Sequence, residues 1–350
     1  MSTTARTTTA HTTTAGTNSA GTTSARTVLF HELGGPDVLT VEEVELPAPG
    51  PGQVLVSVEA LGLNRAESLF RAGAYYYQPT LPASRNGYEA AGTVEAVGEG
   101  VTVFAPGDPV MAAANFELSA HGVYGDRILL DEGALVPRPA EVDAVTAAAM
   151  WVTYSTSYGA LVRTAGLGPG DRVLITGASS GVGTAALQVV RRAGAVPILT
   201  TRTEAKRRRL LELGAEHVIV TGHEDVVKES RRLTGGQGVD IVFDAIGGPG
   251  FRALGDAVVP GGALVVYGWL DRAPTEMPTN WPLTVHGYAN PDVSRTPEGR
   301  RRASHYINSG LADGTLRPVI AEVFDGLEAM PDAHRLMESN THTGKIVVRP

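Results

Sequence analysis

From Thr27 onward, apolar and polar positions alternate in short runs broken by Gly and Pro: "TVLFHEL", "LTVEEVEL", "QVLVSVEALGL", "AAGTVEAVGEG" and "DPVMAAA". A period of two is that of a strand with one buried face, and the intervening "PAPGPG" and "FAPGDP" have the composition of turns. This half therefore predicts an irregular β domain. After about Asp143 the period changes. Wholly apolar runs such as "DRVLITG", "VPILTT", "EHVIV", "VDIVFDAI" and "GALVVYG" alternate with stretches of helical spacing such as "GTAALQVVRRAG", "TEAKRRRLLELG" and "DVVKESRRLTG". Successive strand–helix units with strands apolar on both faces predict a parallel sheet covered by helices on both sides. The last segment, "LTVHGY" to "KIVVRP", returns to mixed texture, and no internal repeat is present.

The first 26 residues, "MSTTARTTTAHTTTAGTNSAGTTSAR", hold almost no bulky apolar side chain. They cannot bury enough surface to offset their ordering entropy and read as a disordered tail. Arg6 and Arg26 without an acid match the charge of a transit peptide, but the apolar face of an amphipathic helix is missing.

Composition narrows the function classes. The 350 residues suffice for roughly two domains, and 43% hydrophobic content can fill their cores. A formal net charge of -8 argues against a general polyanion-binding surface, so nucleic acid is not an expected partner. No apolar run approaches the roughly 18 residues of a membrane span. The absence of cysteine excludes disulfides, iron–sulfur clusters, Cys-ligated zinc and thiol nucleophiles together.

"TGASSGVG", Thr176 to Gly183, joins the first apolar run to the first helical stretch. Glycines at a strand-to-helix turn let the backbone approach a diphosphate, and the helix N-terminus supplies amide donors. The octapeptide is also what short-chain dehydrogenases carry near their N-terminus, whose chemistry uses a Tyr with a Lys four residues on. Here Tyr267, Tyr288 and Tyr306 are followed at that spacing by Asp271, Asp292 and Gly310, so that site cannot be built.

From about Thr27 to Pro350 the chain resembles the medium-chain dehydrogenase/reductase superfamily, in its zinc-independent quinone oxidoreductase branch. The stretches that carry the resemblance are "LGLNRAESLFRAGAY", "GYEAAGTVEAVGEGVTVFAPGDPV", "AGLGPGDRVLITGASSGVGTAALQVVRRAGA", "LLELGAEHVI", "VDIVFDAIGG" and "AHRLMESNTHTGKIVV", in order and correctly separated. The resemblance implies an α/β chain with a GroES-like irregular β-barrel catalytic domain over 27–152. A Rossmann cofactor domain follows over 153–290, and a return segment of the catalytic domain over 291–350. It also implies a cytoplasmic homodimer, with "LTVHGY" as the edge strand that joins the copies.

Zinc-dependent relatives hold their catalytic metal at positions occupied here by Asn64, Tyr88 and Val152. A carboxamide, a phenol and a Val do not provide the set of ligands that catalytic zinc requires. Chemistry without a metal points to hydride transfer to a conjugated C=C of an enone, quinone or polyene substrate, with charge developing on the carbonyl oxygen and neutral donors stabilising it. By resemblance Asn64, Tyr75 and Thr156 line that cleft, and Tyr88 points into the space the metal leaves. Asn64 is equally suited to capping the helix "AESLFRAG", and Tyr77 is the substitute for Tyr75 in "AYYYQP". Trp151 and Tyr154 shape a pocket or pack as core, and His121 and His286 read as incidental.

NADPH is the expected cofactor. After "VPILTT" come Arg202 and Lys206 rather than an acid, and a 2′-phosphate requires cations there. Thr221 stands where some relatives have a Tyr. In the glycine turn, Ala178 and Ser180 hold the first two glycine positions and Gly183 the third, with Gly181 and Val182 between. Ser179 and Ser180 are expected at the phosphates. Gly247 in "AIGG", with Gly268 and Trp269 in "YGW", follows the later strands at the ligand-binding edge. Two other readings share the cofactor: a tailoring enzyme that couples hydride addition to ring closure, and a crystallin-like binder without turnover.

Overall fold

The computed structural model describes residues 21–350, so the predicted tail lies outside the described residues as far as residue 20. Its remaining residues are a strand. Thr22–Leu29 pairs antiparallel with Thr40–Pro47 in continuous register from Thr22↔Pro47 to Leu29↔Thr40. The polar "TTSAR" needs no bulky side chain for this, because ladder hydrogen bonds satisfy its backbone and β-branched Thr suits an extended chain. Ala25 and Val28 supply the buried contacts.

The catalytic half is a seven-stranded sheet. Its spine is the long strand Gln53–Gly62, paired antiparallel with Glu89–Val97 and with Arg127–Asp131. The chain's last strand, Lys345–Arg349, adds to the same spine through Val347↔Gly62 and Val348↔Leu61, and Ile320–Asp325 lies outside it. Phe30, Phe70, Leu118 and Ile128 fill the core beneath.

The cofactor half is a six-stranded parallel sheet. Numbered along the chain, its strands lie in the order three-two-one-four-five-six, that of the doubly wound dinucleotide fold. Val173, Leu174 and Ile175 in the first strand are fully buried, as strands covered on both faces must be. The edge strand Thr284–Gly287 comes from "LTVHGY" and pairs with Val258–Val266 on one side only. The chain does not rejoin the β domain at residue 291. Helix Pro297–Ala312, with Ala303 and Ile307 buried, packs on Trp151–Ser157 and Tyr158–Thr164, and Ile320 begins the return to the catalytic sheet. Apolar spacing on that helix shows that one face is buried, but not what covers it.

Candidate active site and cofactor cleft

The strand Arg172–Ile175 runs through the glycine turn into helix Gly181–Arg192. Ser180 caps that helix, its Oγ accepting from the Gly183 amide at 3.0 Å. A Cβ on Gly183 would lie 2.6 Å from the Ala178 Cα, so this position excludes any side chain. The Gly181 backbone lies in the bridge that pairs Ser180 with Gly344, and the Val182 amide stands at the positive end of the helix.

Two further turns face this one. Asp244, fully buried at the end of the fourth strand, accepts from the Thr176 hydroxyl at 2.5 Å and from the Gly247 amide at 2.8 Å. It thereby shapes "AIGG", where Gly247 adopts φ +64. A Cβ on Gly247 would meet Trp269 at 3.0 Å, and one on Gly268 would meet the Ala245 carbonyl at 2.8 Å, so the two turns close on each other. Tyr267 stacks on Phe243 at 4.1 Å, and its buried hydroxyl has no hydrogen-bond partner among the described residues.

Lys206 donates from Nζ to Ser179 Oγ (2.8 Å), to the Asn340 carbonyl (2.6 Å) and to the His342 carbonyl (2.8 Å). The Ser179 carbonyl in turn accepts from the Gly344 amide at 2.9 Å, tying the glycine turn to the return segment. Burial, then Arg202 and Arg65, push the Lys206 pKa down. Exposed Arg202 follows directly on the second strand, as expected of a residue at the adenosine ribose.

On the catalytic side, Asn64 precedes helix Arg65–Arg71. Its amide N–H donates to Glu67 Oε2 at 2.6 Å, which is the Glu half of a capping box. Its side chain turns elsewhere. Nδ2 donates to the Gly62 carbonyl (3.2 Å) and to Glu67 Oε1 (3.0 Å), and Oδ1 accepts from Lys345 Nζ at 2.6 Å. Both amide hydrogens are thus committed within the protein, which gives Asn64 an organising place at the cleft.

Glu67 is the centre of that organisation. The fully buried carboxylate also accepts from the Tyr88 amide at 2.8 Å and from the Tyr124 hydroxyl, so four donors surround it. Burial pushes its pKa up, and the Lys345 charge opposes that. Glu89, equally buried, accepts from Lys345 Nζ at 2.5 Å and from the Val152 amide at 3.0 Å. The Lys345 side chain passes 3.3 Å from the Cβ position of Gly181, so this ion pair adjoins the glycine turn. Glu67, Glu89 and Lys345 escaped the sequence reading, although "GYEA" and "GKIVV" carry two of them.

Tyr88 and Tyr77 share a hydrogen bond of 2.7 Å, and the Tyr75 hydroxyl lies beside that of Tyr88. Burial raises all three pKa values, that of Tyr77 to about 12, so the phenols are neutral donors. Tyr76 is 75% exposed, which resolves the three consecutive tyrosines into two inward and one outward. Asn64, Tyr75 and Tyr88 therefore belong to one connected cluster. Thr156 stands apart from it. It lies on helix Trp151–Ser157, where its hydroxyl accepts from Asn290 at 2.9 Å.

Comparison with known proteins identifies the family. The family model for the alcohol dehydrogenase GroES-like domain matches residues 50–140, and that for zinc-binding dehydrogenase matches residues 181–291. Quinone oxidoreductase from Lama guanicoe is 31% identical over 328 residues, covering 92% of this chain and 97% of its own. A 2-haloacrylate reductase from a Burkholderia species is 32% identical over 333 residues, covering 92% and 98%. The solved structure of Escherichia coli quinone oxidoreductase complexed with NADPH superposes with a TM-score of 0.85 at 28% identity, covering 93% of this chain and all of that one. The chain is a member of the medium-chain dehydrogenase/reductase superfamily, in its quinone oxidoreductase-like branch.

Proposed function

We propose that the protein is an NADPH-dependent, zinc-independent reductase of a conjugated C=C bond in an enone- or quinone-type small molecule. The observation that carries this reading is the Tyr75–Tyr77–Tyr88 phenol cluster, in which Glu67 holds the backbone of Tyr88, the residue that by resemblance stands at a metal-ligand position of zinc-dependent relatives. When bound, NADPH supplies a hydride to the β-carbon of the substrate. Charge then develops on the substrate carbonyl oxygen, and a neutral phenol is suited to stabilise it. Tyr77 and Tyr88 carry two hydroxyl hydrogens and share one hydrogen bond, so one hydrogen remains for that oxygen. Glu67 and Lys345 hold the Tyr88 backbone and the Asn64 side chain, and so set the direction from which the donor acts.

The cofactor side rests on the same kind of fit. The helix N-terminus at Gly181 and Val182, with the hydroxyls of Ser179 and Ser180, suits a diphosphate, and the turns at Gly183, Gly247, Gly268 and Trp269 suit a ribose and nicotinamide. Arg202 and Lys206 suit a 2′-phosphate. Thr156 is assigned to the nicotinamide side on resemblance. The reading includes a cytoplasmic homodimer joined at the unpaired edge of Thr284–Gly287, near which Trp281 is 67% and Met277 55% exposed. Among the described residues no helix is long and apolar enough to cross a membrane. NADPH oxidation assayed across quinones, enones and enoyl thioesters tests the function. Turnover of a conjugated acceptor with its carbonyl retained is expected, and no turnover with any acceptor would leave a cofactor-binding protein instead.

A further inference from the structure

The cofactor cleft holds more positive charge than Arg202 and Lys206. Arg65, in the first turn after Asn64, donates from Nη2 to Asn340 Oδ1 and to the Met337 carbonyl, both at 2.6 Å. The Asn340 carbonyl accepts from Lys206 at 2.6 Å, so one residue joins a cation of the catalytic domain to a cation of the cofactor domain. Arg65 lies close enough to Arg202 and to Lys206 for each pair to repel. Among the described residues no carboxylate lies within ion-pair distance of any of the three; Glu338, whose charge acts favourably on Arg65 from farther off, is bonded to Arg71 at 2.5 Å. His342, facing Lys206 and Arg65, has a buried Nδ1 without a hydrogen-bond partner. Three cations without a direct carboxylate partner and an imidazole nitrogen without a hydrogen bond form a cluster suited to an anion.

We infer that Arg65 is a cofactor-specificity residue, which reaches across the cleft to complete a 2′-phosphate site with Arg202, Lys206 and His342. This rests on the NADPH reading above and extends it. The phosphate then bridges the two domains, so the contacts that select NADPH over NADH also hold the cleft closed. A diphosphate shares the chemistry of a 2′-phosphate, but the neighbours of Arg65 favour the latter. Arg202 stands at the end of the second strand, on the ribose side, and not on the glycine turn.

The probes are 2′,5′-ADP and 5′-ADP, whose affinities for the parent protein and its variants are measured by calorimetry, with thermal midpoints recorded as a check on folding. Arg65→Gln should weaken 2′,5′-ADP about 10- to 100-fold, the range of one or two charge-assisted hydrogen bonds, and leave 5′-ADP unchanged. The KM for NADPH should rise with that for NADH unmoved. Equal loss of both probes, or loss of 5′-ADP alone, overturns the inference. If Arg65→Gln does not fold, Arg65→Lys reads the same contrast, with a selective loss expected and an equal loss decisive against it. If Arg202→Ala and Lys206→Ala lose 2′,5′-ADP while Arg65→Gln does not, this inference falls and the cofactor reading stands. A parent protein that does not prefer 2′,5′-ADP to 5′-ADP overturns both.

Discussion

Tyr88 is the side chain on which the proposed chemistry turns. Its half-buried side chain shares a hydrogen bond with Tyr77, and its backbone is fixed by Glu67. Removing one donor to a developing oxyanion reduces kcat by about 10²-fold in comparable sites, because the donor acts mainly in the transition state. Tyr88→Phe should therefore lower kcat by about that factor while leaving the KM for NADPH within about twofold, as steady-state kinetics would measure. An unchanged kcat would remove Tyr88 from the reaction. At this scale the motifs pointed to Asn64, Tyr75 and Tyr88, which the fold brings into one connected cluster. The sequence was not readable where a role depends on residues distant in the chain. Glu67 and Lys345 act through partners as far as 281 positions away, and no local pattern reports such a pairing.

Helix Met330–Ser339 shows how an element of the return segment supports the site. His334 on this helix is fully buried, its Nδ1 accepting from Arg71 Nη1 at 2.7 Å and its Nε2 lying 3.2 Å from the Tyr124 hydroxyl. Arginine only donates, so the imidazole is neutral, with its proton on Nε2 toward the Tyr124 oxygen. Tyr124 then donates to Glu67, which links the helix to the active-site scaffold. Burial, followed by the charges of Arg71 and Arg65, holds the His334 pKa well below its ordinary 6.5. In the unfolded chain the same group titrates near 6.5, so below that pH the unfolded state binds a proton that the folded state refuses. Stability should therefore fall as pH drops through about 6.5, with His334 contributing up to about 1.4 kcal/mol per pH unit. In denaturant titrations His334→Gln should flatten that slope by about one proton, and a slope equal to the parent's would contradict the assignment. Element boundaries were legible where periodicity changed, as at the first parallel strand. They were missed at Thr22, where a polar strand has no apolar signature, and at Pro297–Ala312, a helix that packs on Trp151–Ser157 and Tyr158–Thr164 before the chain returns to the catalytic sheet.

The molecule as a whole joins two architectures through a few polar contacts placed at the cleft. The last strand belongs to the catalytic sheet, yet its first residue, Lys345, and the preceding Gly344 lie against the glycine turn, and Lys206 reaches back to Asn340 and His342. A cofactor seated on that turn therefore meets residues from both domains, which is the arrangement hydride transfer requires if two reactants are to be held in fixed orientation. The doubly wound order was predictable because alternating strand–helix units with fully apolar strands leave few other topologies. The seating of one domain on the other was not, because it depends on single long-range pairs. The central claim is that hydride goes to carbon conjugated with a carbonyl. The most direct measurement uses NADPH carrying deuterium at the transferring position of the nicotinamide, with an enone acceptor and NMR of the product. The proposed chemistry predicts deuterium on the β-carbon of a saturated ketone; deuterium on the carbonyl carbon of an alcohol would contradict it.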